Sequence, residues 1–560
     1  MKEFIQSAPS IANTYLSDHL LKAYLKRVLP DEHFREIEQD LTAFGQRAAG
    51  ELLDLAEDAE ANPPFLKKFD AWGSQLDEVV TSHGWKALEK VSAEEGLVAI
   101  GYERKYGEFS RLYQFAKLYL FHPSSAYFTC PLAMTDGAAK LIESFGDDEL
   151  KQNAFARLTS RDPDNFWTSG QWMTERSGGS DVGGSETVAR LHGNQWHLYG
   201  TKWFTSAITS QMAMTLGRIE DENGNSIDGS RGLSLFYVEL KDDQGHPNNF
   251  EILRLKDKLG TRALPTAEVK LQSVPAVLVG NEGEGVKTIA TLFNITRIYN
   301  ACTTMGAWRR LLDLATDYAK QRVAFKKHLK DHPLHYRTLS DIEIEFQACF
   351  HLVMYVARLL GKVECGQAES ADSALLRLLT PIAKSYCAKK NLNATTELIE
   401  SFGGAGYLED TGIPRWLRDN QVLTIWEGTT NVLSLDVLRA IRKDNAMPGY
   451  MDDVRTRLDL LPDSESKSHV MNALDQAQAY VERFPELSGD DLEYGARELA
   501  FSLGNIMCAS LLLEHAAALP ADESAQFVAR QFCGRSLFDV RIDTAGDRRA
   551  RQVLLFNDGS

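Results

Sequence analysis

The sequence lacks the hallmarks of several common protein classes. Its seven cysteines form no Cys-x-x-Cys pair, so neither a disulfide framework nor a cysteine zinc site is predicted. Positive charge is scarce, and the net charge of -17 argues against a protein that coats nucleic acid or an anionic membrane. No apolar run reaches the roughly 18 residues of a membrane span, and residues 1–22 lack the apolar core of a signal peptide. We therefore expect a cytoplasmic protein that binds no structural metal.

The chain does have the length and composition of a multi-domain globular protein. It contains 560 residues, of which 44% are hydrophobic and 25% are charged, with 40 Gly and 17 Pro. These values exclude disordered and collagen-like classes. At about 150 residues per domain, roughly four domains are expected.

The hydrophobic pattern divides the chain into four predicted domains and makes the protein a multi-domain α+β chain. Residues 1–166 are mainly helical in pattern, residues 167–280 carry short apolar runs between Gly-rich turns, and residues 281–442 return to a helical period. A segment with Met, Pro and Gly at 445–450 is predicted as a linker. Residues 443–560 then form an additional helical domain.

Several elements within these domains are predicted individually. The runs Trp196–Tyr199, Leu233–Tyr237 and Val269–Leu271 have the composition of strands. Ser340 and Glu343 have the spacing of a capping box, which predicts that a helix begins there.

A glycine-dense segment, Met173–Gly184, stands at the start of the predicted β domain. Such a loop lets backbone N–H groups approach a phosphate or a planar ring. It matches neither a Walker A loop nor a Rossmann fingerprint. Taken alone, a plain surface turn explains it better.

The segment Gly200–Ser206 places Trp203 and Phe204 beside Thr205 and Ser206. Aromatic rings and hydroxyls together suit the edge of a flat conjugated ring, because one stacks and the other forms hydrogen bonds. Taken alone, a buried aromatic pair in the core of the β domain is the simpler interpretation.

The segment Gln421–Asn431 places Glu427 after an apolar run and before a glycine. Burial there would raise the pKa of the carboxyl group and make it a better proton acceptor near neutral pH. A carboxylate at the start of the next helix is the structural alternative. The segment Glu400–Tyr407, with paired glycines, reads by itself as a helix stop.

In this order, the motifs resemble the acyl-CoA dehydrogenase flavoprotein family over about residues 10–442, and fit best its AidB-like branch. The extra C-terminal helical domain also resembles that branch. The matching segments are FHPSSAYFTCPLAMT at 121–135, MTERSGGSDV at 173–182, TKWFTS at 201–206, RLKDKLGTR at 254–262 and IWEGTTNVLSLDVLR at 425–439.

The resemblance implies an acyl-CoA dehydrogenase-like fold and FAD as cofactor. The fold has a helical N-domain, a β-barrel-like middle domain and a helical-bundle C-domain, here with an extra C-terminal helical domain, in a homotetramer built as a dimer of dimers. Ser206 would lie beside flavin N5, and Arg322 and Phe325 would reach FAD across a subunit interface. The implied cofactor contacts are Gln171, Met173, Thr174, Gly179, Ser180, Phe204, Thr205, Ser206, Arg322, Phe325, Glu400, Phe402, Gly403, Gly404, Thr429 and Asn431.

The same resemblance implies the reaction and its partners. Glu427 occupies the position of the catalytic base, which takes the α proton of an acyl-CoA while the β hydride passes to flavin N5, giving trans-2-enoyl-CoA. Electron-transferring flavoprotein or a similar acceptor would reoxidise the cofactor. The implied substrate contacts lie at Ser180, at Gly428 and within the segment 294–297, at Asn294 and Arg297.

Two departures from the family pattern affect the fit of cofactor and substrate. Arg176 stands where the family loop usually has Pro, as a basic residue does in the AidB-like branch. Pro333 replaces the usual Gln after His332, which affects one FAD contact that the resemblance implies. Neither change touches Glu427.

Two other functions stay open at this point. One is an AidB-like flavoprotein with weak or no dehydrogenase activity that binds an acyl chain or lipid as a sensor. The other is a DNA-associated protein of the alkylation response. Residues 443–560 contain twelve Lys and Arg against twenty Asp and Glu, which argues against DNA binding. The only local basic run, at Arg548, Arg549 and Arg551, is predicted as a solvated helix face or subunit contact.

Overall fold

The computed structural model of the chain describes residues 6–242, 244–541 and 543–556. Residues 1–5 and 557–560 lie outside the described residues. The prediction of no signal peptide concerns the first of these segments in part, and the second ends the fourth predicted domain. Contacts group the chain into two compact units, and each is described by itself. The first comprises residues up to 346 with 353–368 and 387–428, and the second comprises 347–352, 369–386 and the chain from 429 onward.

The N-terminal part of the first unit is mainly helical, as predicted. Several of its helices bury one face, and the helix Ser110–Phe121 is buried at every residue. Side-chain caps define where some helices begin: Asp18 accepts a hydrogen bond from the Leu21 N–H at 2.9 Å. The helices are α1 (His19–Val28), α2 (Asp31–Ala49), α3 (Glu51–Ala61), α4 (His83–Glu94), α5 (Ala99–Glu103), α6 (Ser110–Phe121), α7 (Thr129–Phe145), α8 (Asp148–Leu150) and α9 (Ala156–Leu158).

An antiparallel hairpin interrupts these helices, and the sequence pattern did not predict it. Its strands are β1 (Phe65–Phe69) and β2 (Gln75–Val80). Lys68 on β1 pairs with Asp77 within the hairpin at 3.0 Å, and its ion pair with Glu251, also at 3.0 Å, ties the hairpin to the β domain.

The β domain is a seven-stranded sheet that closes on itself. Its strands are β3 (Ser169–Trp172), β4 (Val188–His192), β5 (Gln195–Ser206), β6 (Met212–Ile219), β7 (Leu233–Glu239), β8 (Phe250–Leu255) and β9 (Thr266–Val279). Strand β6 pairs with β4 and with β7, so the strands β6, β4, β5, β9 and β7 form a ring. Strands β3 and β8 attach outside the ring, to β6 and β9. The three strands predicted individually, and the barrel-like character of this domain, are confirmed.

The chain then returns to long helices. These elements are α10 (Gly285–Gln321), β10 (Val323–Ala324), β11 (Lys327–His328), α11 (Pro333–Glu364), α12 (Ser370–Glu400) and α13 (Ile413–Val422). Helix α10 approaches α6 closely at Gly306, where an added Cβ would lie 2.5 Å from the Tyr119 carbonyl oxygen. The predicted capping box is wrong, because Ser340 lies inside α11 and its hydroxyl donates to the Arg337 carbonyl at 2.9 Å.

The second unit contains the C-terminal helices, packed around α17. Its helices from residue 429 onward are α14 (Thr430–Lys443), α15 (Met447–Asp459), α16 (Glu465–Glu482), α17 (Gly489–Ala518), α18 (Glu523–Cys533) and α19 (Ala545–Phe556). The predicted linker at 445–450 is wrong from Met447 onward, because Pro448 lies in the first turn of α15, where the missing N–H costs nothing.

Helix α17 is long and apolar enough to span a membrane if length and composition alone are considered. However, 78% of its most apolar 18-residue window is buried inside the fold, so it packs as a core helix. Within the same unit, Arg548 pairs with Asp491, and Arg551 pairs with Asp543 at 2.9 Å. Two of the three arginines in the local basic run are therefore engaged by carboxylates of this unit.

Candidate active site

Glu427 lies in a strained turn that follows α13. Its φ angle is 56°, a left-handed conformation that few residues other than glycine adopt, and Gly428 follows with a φ of 101°. The side chain is half-buried. Strain of this kind persists only where contacts with neighbouring residues hold the strained residue in place.

Three residues from distant parts of the chain hold Glu427. The Thr296 hydroxyl donates to its Oε2 at 2.7 Å, and the Gln171 side-chain amide lies 3.5 Å from its Oε1. Arg297 Nε donates to the Glu427 backbone carbonyl at 3.3 Å. Hydrogen bonds to a carboxylate are stronger than those between neutral groups, so both oxygens are oriented by α10 and β3.

Three residues that contact Glu427, precede it or contact the turn before it carry polar atoms without a partner. Among the described residues, Gln171 Oε1, Asn300 Oδ1 and Trp426 Nε1 are buried and receive or make no hydrogen bond. Buried polar atoms are almost always hydrogen-bonded in folded proteins. The site therefore contains two acceptors and one donor whose hydrogen bonds a polar ligand would satisfy.

The glycine-dense loop Met173–Gly184 is anchored by a buried ion pair. The Glu175 carboxylate accepts hydrogen bonds from Lys202 Nζ at 2.7 Å, from the Thr187 hydroxyl at 2.6 Å and from the Glu186 N–H at 2.6 Å. Burial raises the pKa of Glu175, but Lys202 and these donors outweigh it and hold that pKa below its usual value.

The tip of this loop stays accessible. Gly179 and Ser180 are exposed, whereas Met173 is buried in the core and Thr174 is half-buried. The loop is thus a fixed structure that presents its tip, rather than the plain surface turn that the segment alone favoured.

The aromatic segment at the end of β5 also departs from its simpler interpretation. Phe204 is 49% exposed, so the alternative of a buried aromatic pair is wrong for this residue. Thr205 is buried and donates to the Ala267 carbonyl at 2.9 Å. The Ser206 hydroxyl lies 3.1 Å from the Thr266 hydroxyl on β9.

Other predicted cofactor residues lie after a helix end, on a turn and in the core. Arg322 directly follows α10, and Phe325 is 92% exposed on the turn between β10 and β11. Phe402 is buried against Tyr318, with ring centroids 5.1 Å apart, so its side chain is part of the core. The role of these residues toward FAD stays a prediction.

The remaining predicted residues occupy helix ends and turns. Glu400 ends α12, and Gly403 and Gly404 follow it with open space around their Cα atoms. Asn294 is half-buried on α10. Thr429 and Asn431 belong to the second unit and begin α14 there, where Asn431 lies 3.5 Å from Arg497.

Sequence reasoning missed the role of Thr296. The residue lies inside the segment 294–297 that was predicted to face substrate, yet its hydroxyl holds the base itself. No spacing rule links it to a carboxylate 131 residues away. Sequence reasoning also missed Lys258, which donates to Thr266 at 3.2 Å.

Four family models match successive parts of the chain. They are the Adaptive response protein AidB N-terminal domain at residues 7–165, the acyl-CoA dehydrogenase middle domain at 170–274, the acyl-CoA dehydrogenase C-terminal domain at 283–442 and the acyl-CoA dehydrogenase 11 C-terminal domain-like model at 445–554.

Relatives match over most of the chain. Acyl-CoA dehydrogenase family member 11 of Caenorhabditis elegans is 41% identical over 98% of this chain and 92% of its own length. The putative acyl-CoA dehydrogenase AidB of Escherichia coli is 31% identical over 77% of this chain and 78% of its own. A crystal structure of C. elegans ACDH-11 in complex with C11-CoA superposes with a TM-score of 0.97, at 39% identity, over 100% of this chain and 98% of that one. The chain therefore belongs to the acyl-CoA dehydrogenase family, with an AidB-type N-terminal domain, and has the fold of that family with an extra C-terminal helical domain.

Proposed function

We propose that the protein catalyses FAD-dependent α,β-dehydrogenation of a fatty acyl-CoA thioester to trans-2-enoyl-CoA. The observation that carries this proposal is the Glu427 carboxylate, which is held at both oxygens in a half-buried, strained turn. Binding of C11-CoA by the C. elegans relative supports an acyl-CoA as ligand here. A protein that only bound acyl chains would not need a carboxylate fixed in this way.

The residues of the proposed site have the chemistry to hold FAD. The unpartnered Gln171 Oε1 and Trp426 Nε1 supply an acceptor and a donor, Phe204 offers an exposed ring, and the Ser206 hydroxyl lies at the end of β5. Gly179 and Ser180, at the accessible tip of the anchored loop, would meet the dinucleotide. When bound, FAD would supply the hydride acceptor of the reaction.

The residues of the chain supply the acid–base half of the reaction. The Glu427 carboxylate takes the α proton as the α C–H bond breaks, and the electron pair of that bond forms the new double bond as the β hydrogen leaves as hydride. Thr296 and Gln171 fix the direction of the carboxylate, and Arg297 fixes its backbone. Such positioning contributes a large part of an enzyme's rate.

The partners follow from the chemistry. A reduced cofactor must pass on two electrons, so electron-transferring flavoprotein or a similar acceptor is part of the proposal. The proposal includes a homotetramer, since Arg322 and Phe325 would serve a cofactor across a subunit interface. It also includes a cytoplasmic location.

An anaerobic titration tests the proposal. The purified yellow protein is mixed with saturated acyl-CoAs of increasing chain length, and the flavin absorption band is followed. We expect one chain length to bleach the band, with enoyl-CoA as product. Glu427→Gln is nearly isosteric and should keep its FAD but not bleach.

Each alternative function has its own signature in the same samples. A band that shifts on acyl-CoA binding but never bleaches would reject dehydrogenation and favour an acyl sensor. Salt-sensitive retention on DNA would favour the alkylation-response protein. Bleaching that continues unchanged in Glu427→Gln would reject Glu427 as the base.

A further inference from the structure

The Lys258 ammonium group is fully committed to three acceptors near the candidate active site. It donates to the Thr261 carbonyl at 2.6 Å, to the Leu264 carbonyl at 2.7 Å and to the Thr266 hydroxyl oxygen at 3.2 Å. An ammonium group has three N–H donors and no acceptor. Every proton of Lys258 is therefore used, and none of these contacts is a carboxylate.

This arrangement constrains the neighbouring hydroxyl pair. Thr266 Oγ1 accepts a hydrogen bond from Lys258, so its own hydrogen is left to donate. The partner in reach is Ser206 Oγ, at 3.1 Å. A hydroxyl has one hydrogen. Once Ser206 accepts from Thr266, the Ser206 hydrogen is free to point away from the pair.

Lys258 lies within electrostatic range of the proposed base. Burial raises the pKa of the Cys130 thiol to about 12, and Lys258 lowers that pKa while Glu427 raises it. The charges of Lys258 and Glu427 therefore both act on the Cys130 thiol. Ser206 is at the same time the residue that we expect beside flavin N5.

We propose that Lys258 is a positioning residue that sets the direction of the Thr266–Ser206 hydrogen bond, so that Ser206 presents its hydroxyl hydrogen to the flavin. This inference rests on the proposed function, because it takes Ser206 to lie against FAD. It goes beyond that proposal because Lys258 is not among the predicted cofactor contacts. The number of hydrogens on Lys258 determines which hydroxyl donates in the Thr266–Ser206 hydrogen bond.

The proton count also predicts what happens when Lys258 loses its charge. A neutral amine keeps two N–H groups, enough for the two carbonyl oxygens, and gains a lone pair that accepts the Thr266 hydrogen. Ser206 must then donate to Thr266. The hydrogen bond reverses, and Ser206 no longer donates to the flavin.

The surroundings place this reversal in an accessible pH range. Burial lowers the pKa of Lys258 to about 8, and Cys130 on α7, Asp419 on α13 and Glu60 on α3 oppose that shift. Burial raises the pKa of Glu60 to about 7, against the lowering effect of the Lys258 charge and of two arginines on α13. Lys258 is thus charged at neutral pH and neutral above about pH 9.

The test is the absorption spectrum of the oxidised, FAD-loaded protein between pH 6 and about pH 9.5. We expect one reversible transition of the flavin band with a midpoint near pH 8. It should disappear in Lys258→Met, in Lys258→Arg, which cannot lose its charge in this range, and in Ser206→Ala. Lys256→Met is the matched control and should keep it, because Lys256 pairs with Glu268 at 2.6 Å instead.

Glu60→Gln separates the two groups that titrate in this range. If Lys258 is the source, the transition persists and its midpoint moves to lower pH, because an anion that favours charged Lys258 is gone. Loss of the transition in Glu60→Gln, its persistence in Lys258→Arg, or its absence from the FAD-loaded wild type would each overturn the inference.

The outcome is distinguishable from failure of the proposed function. A protein that binds FAD but is never bleached by acyl-CoA would contradict dehydrogenation, while the pH transition would still decide the role of Lys258. A protein that is bleached and shows no transition would reject the inference alone. A protein that takes up no FAD would reject both.

Discussion

The buried ion pair between Glu175 and Lys202 gives the sharpest stability prediction. The two side chains are 3% and 0% exposed, with 2.7 Å between Oε1 and Nζ. Glu175→Gln leaves the Lys202 charge buried without compensation, which typically costs about 3–5 kcal/mol. With a urea dependence of about 3 kcal/mol per M, the unfolding midpoint should fall by about 1 M or more.

A second ion pair in the same sheet provides the control. Arg190 and Glu220 are also 2.7 Å apart, but their side chains are 49% and 15% exposed. Breaking this pair with Glu220→Gln should cost only about 0.2–1 kcal/mol, because water solvates the remaining Arg190 charge. Equal losses in the two variants would refute the argument that burial, rather than distance, sets the cost.

The Glu175–Lys202 pair also predicts how stability depends on pH, and a double variant that restores part of the stability. Because the pKa of Glu175 is lowered in the folded protein, its contribution is present above the unfolded pKa of about 4.3 and is lost as the pH falls through the folded pKa. Glu175→Gln should lack this dependence. The double variant with Lys202→Met removes both charges and should recover part of the lost free energy of unfolding.

Three further outcomes follow from single contacts. Thr296→Val should lower kcat by about five- to tenfold, corresponding to about 1 kcal/mol for the lost hydrogen bond, with unchanged FAD content, whereas Thr296→Ser should retain most activity. Gly306→Ala should cost about 1–3 kcal/mol in thermal denaturation, since its Cβ would meet the Tyr119 carbonyl, while Gly489→Ala, with no atom within 4 Å, should be tolerated. Thiol titration after denaturation without reductant should count seven free cysteines, and a lower count would contradict the structure.

The hydrophobic pattern along the chain predicted most helices and strands, because interactions between residues close in sequence determine these elements. The helical period before and after the β domain reports burial of one face, and the apolar run at Leu233–Tyr237 lies in a strand that is buried on both faces. The hairpin of β1 and β2 was not predicted because its side chains Phe65 and Phe69 are exposed. In a sequence, exposed apolar residues cannot be told apart from residues that belong to a buried core.

The base was predictable, but the means by which it is held was not. Glu427 stands in a motif whose residues are neighbours in sequence. Its partners Thr296 and Gln171 are brought to it only by the packing of α10 and β3, over separations of 131 and 256 residues. The direction of the Ser206 hydroxyl depends on Lys258 in the same way. Such contacts are fixed by tertiary structure, which no single motif encodes.

The closed ring of strands has a consequence for amide hydrogen exchange. Strands β6, β4, β5, β9 and β7 pair on both sides, so their amides should exchange only when the whole barrel opens. Strand β3 pairs with β6 alone and carries Gln171. The hydrogen bonds of β3 can open while the barrel stays closed. Slower amide exchange in β3, with unchanged exchange in the ring strands, would therefore report ligand binding.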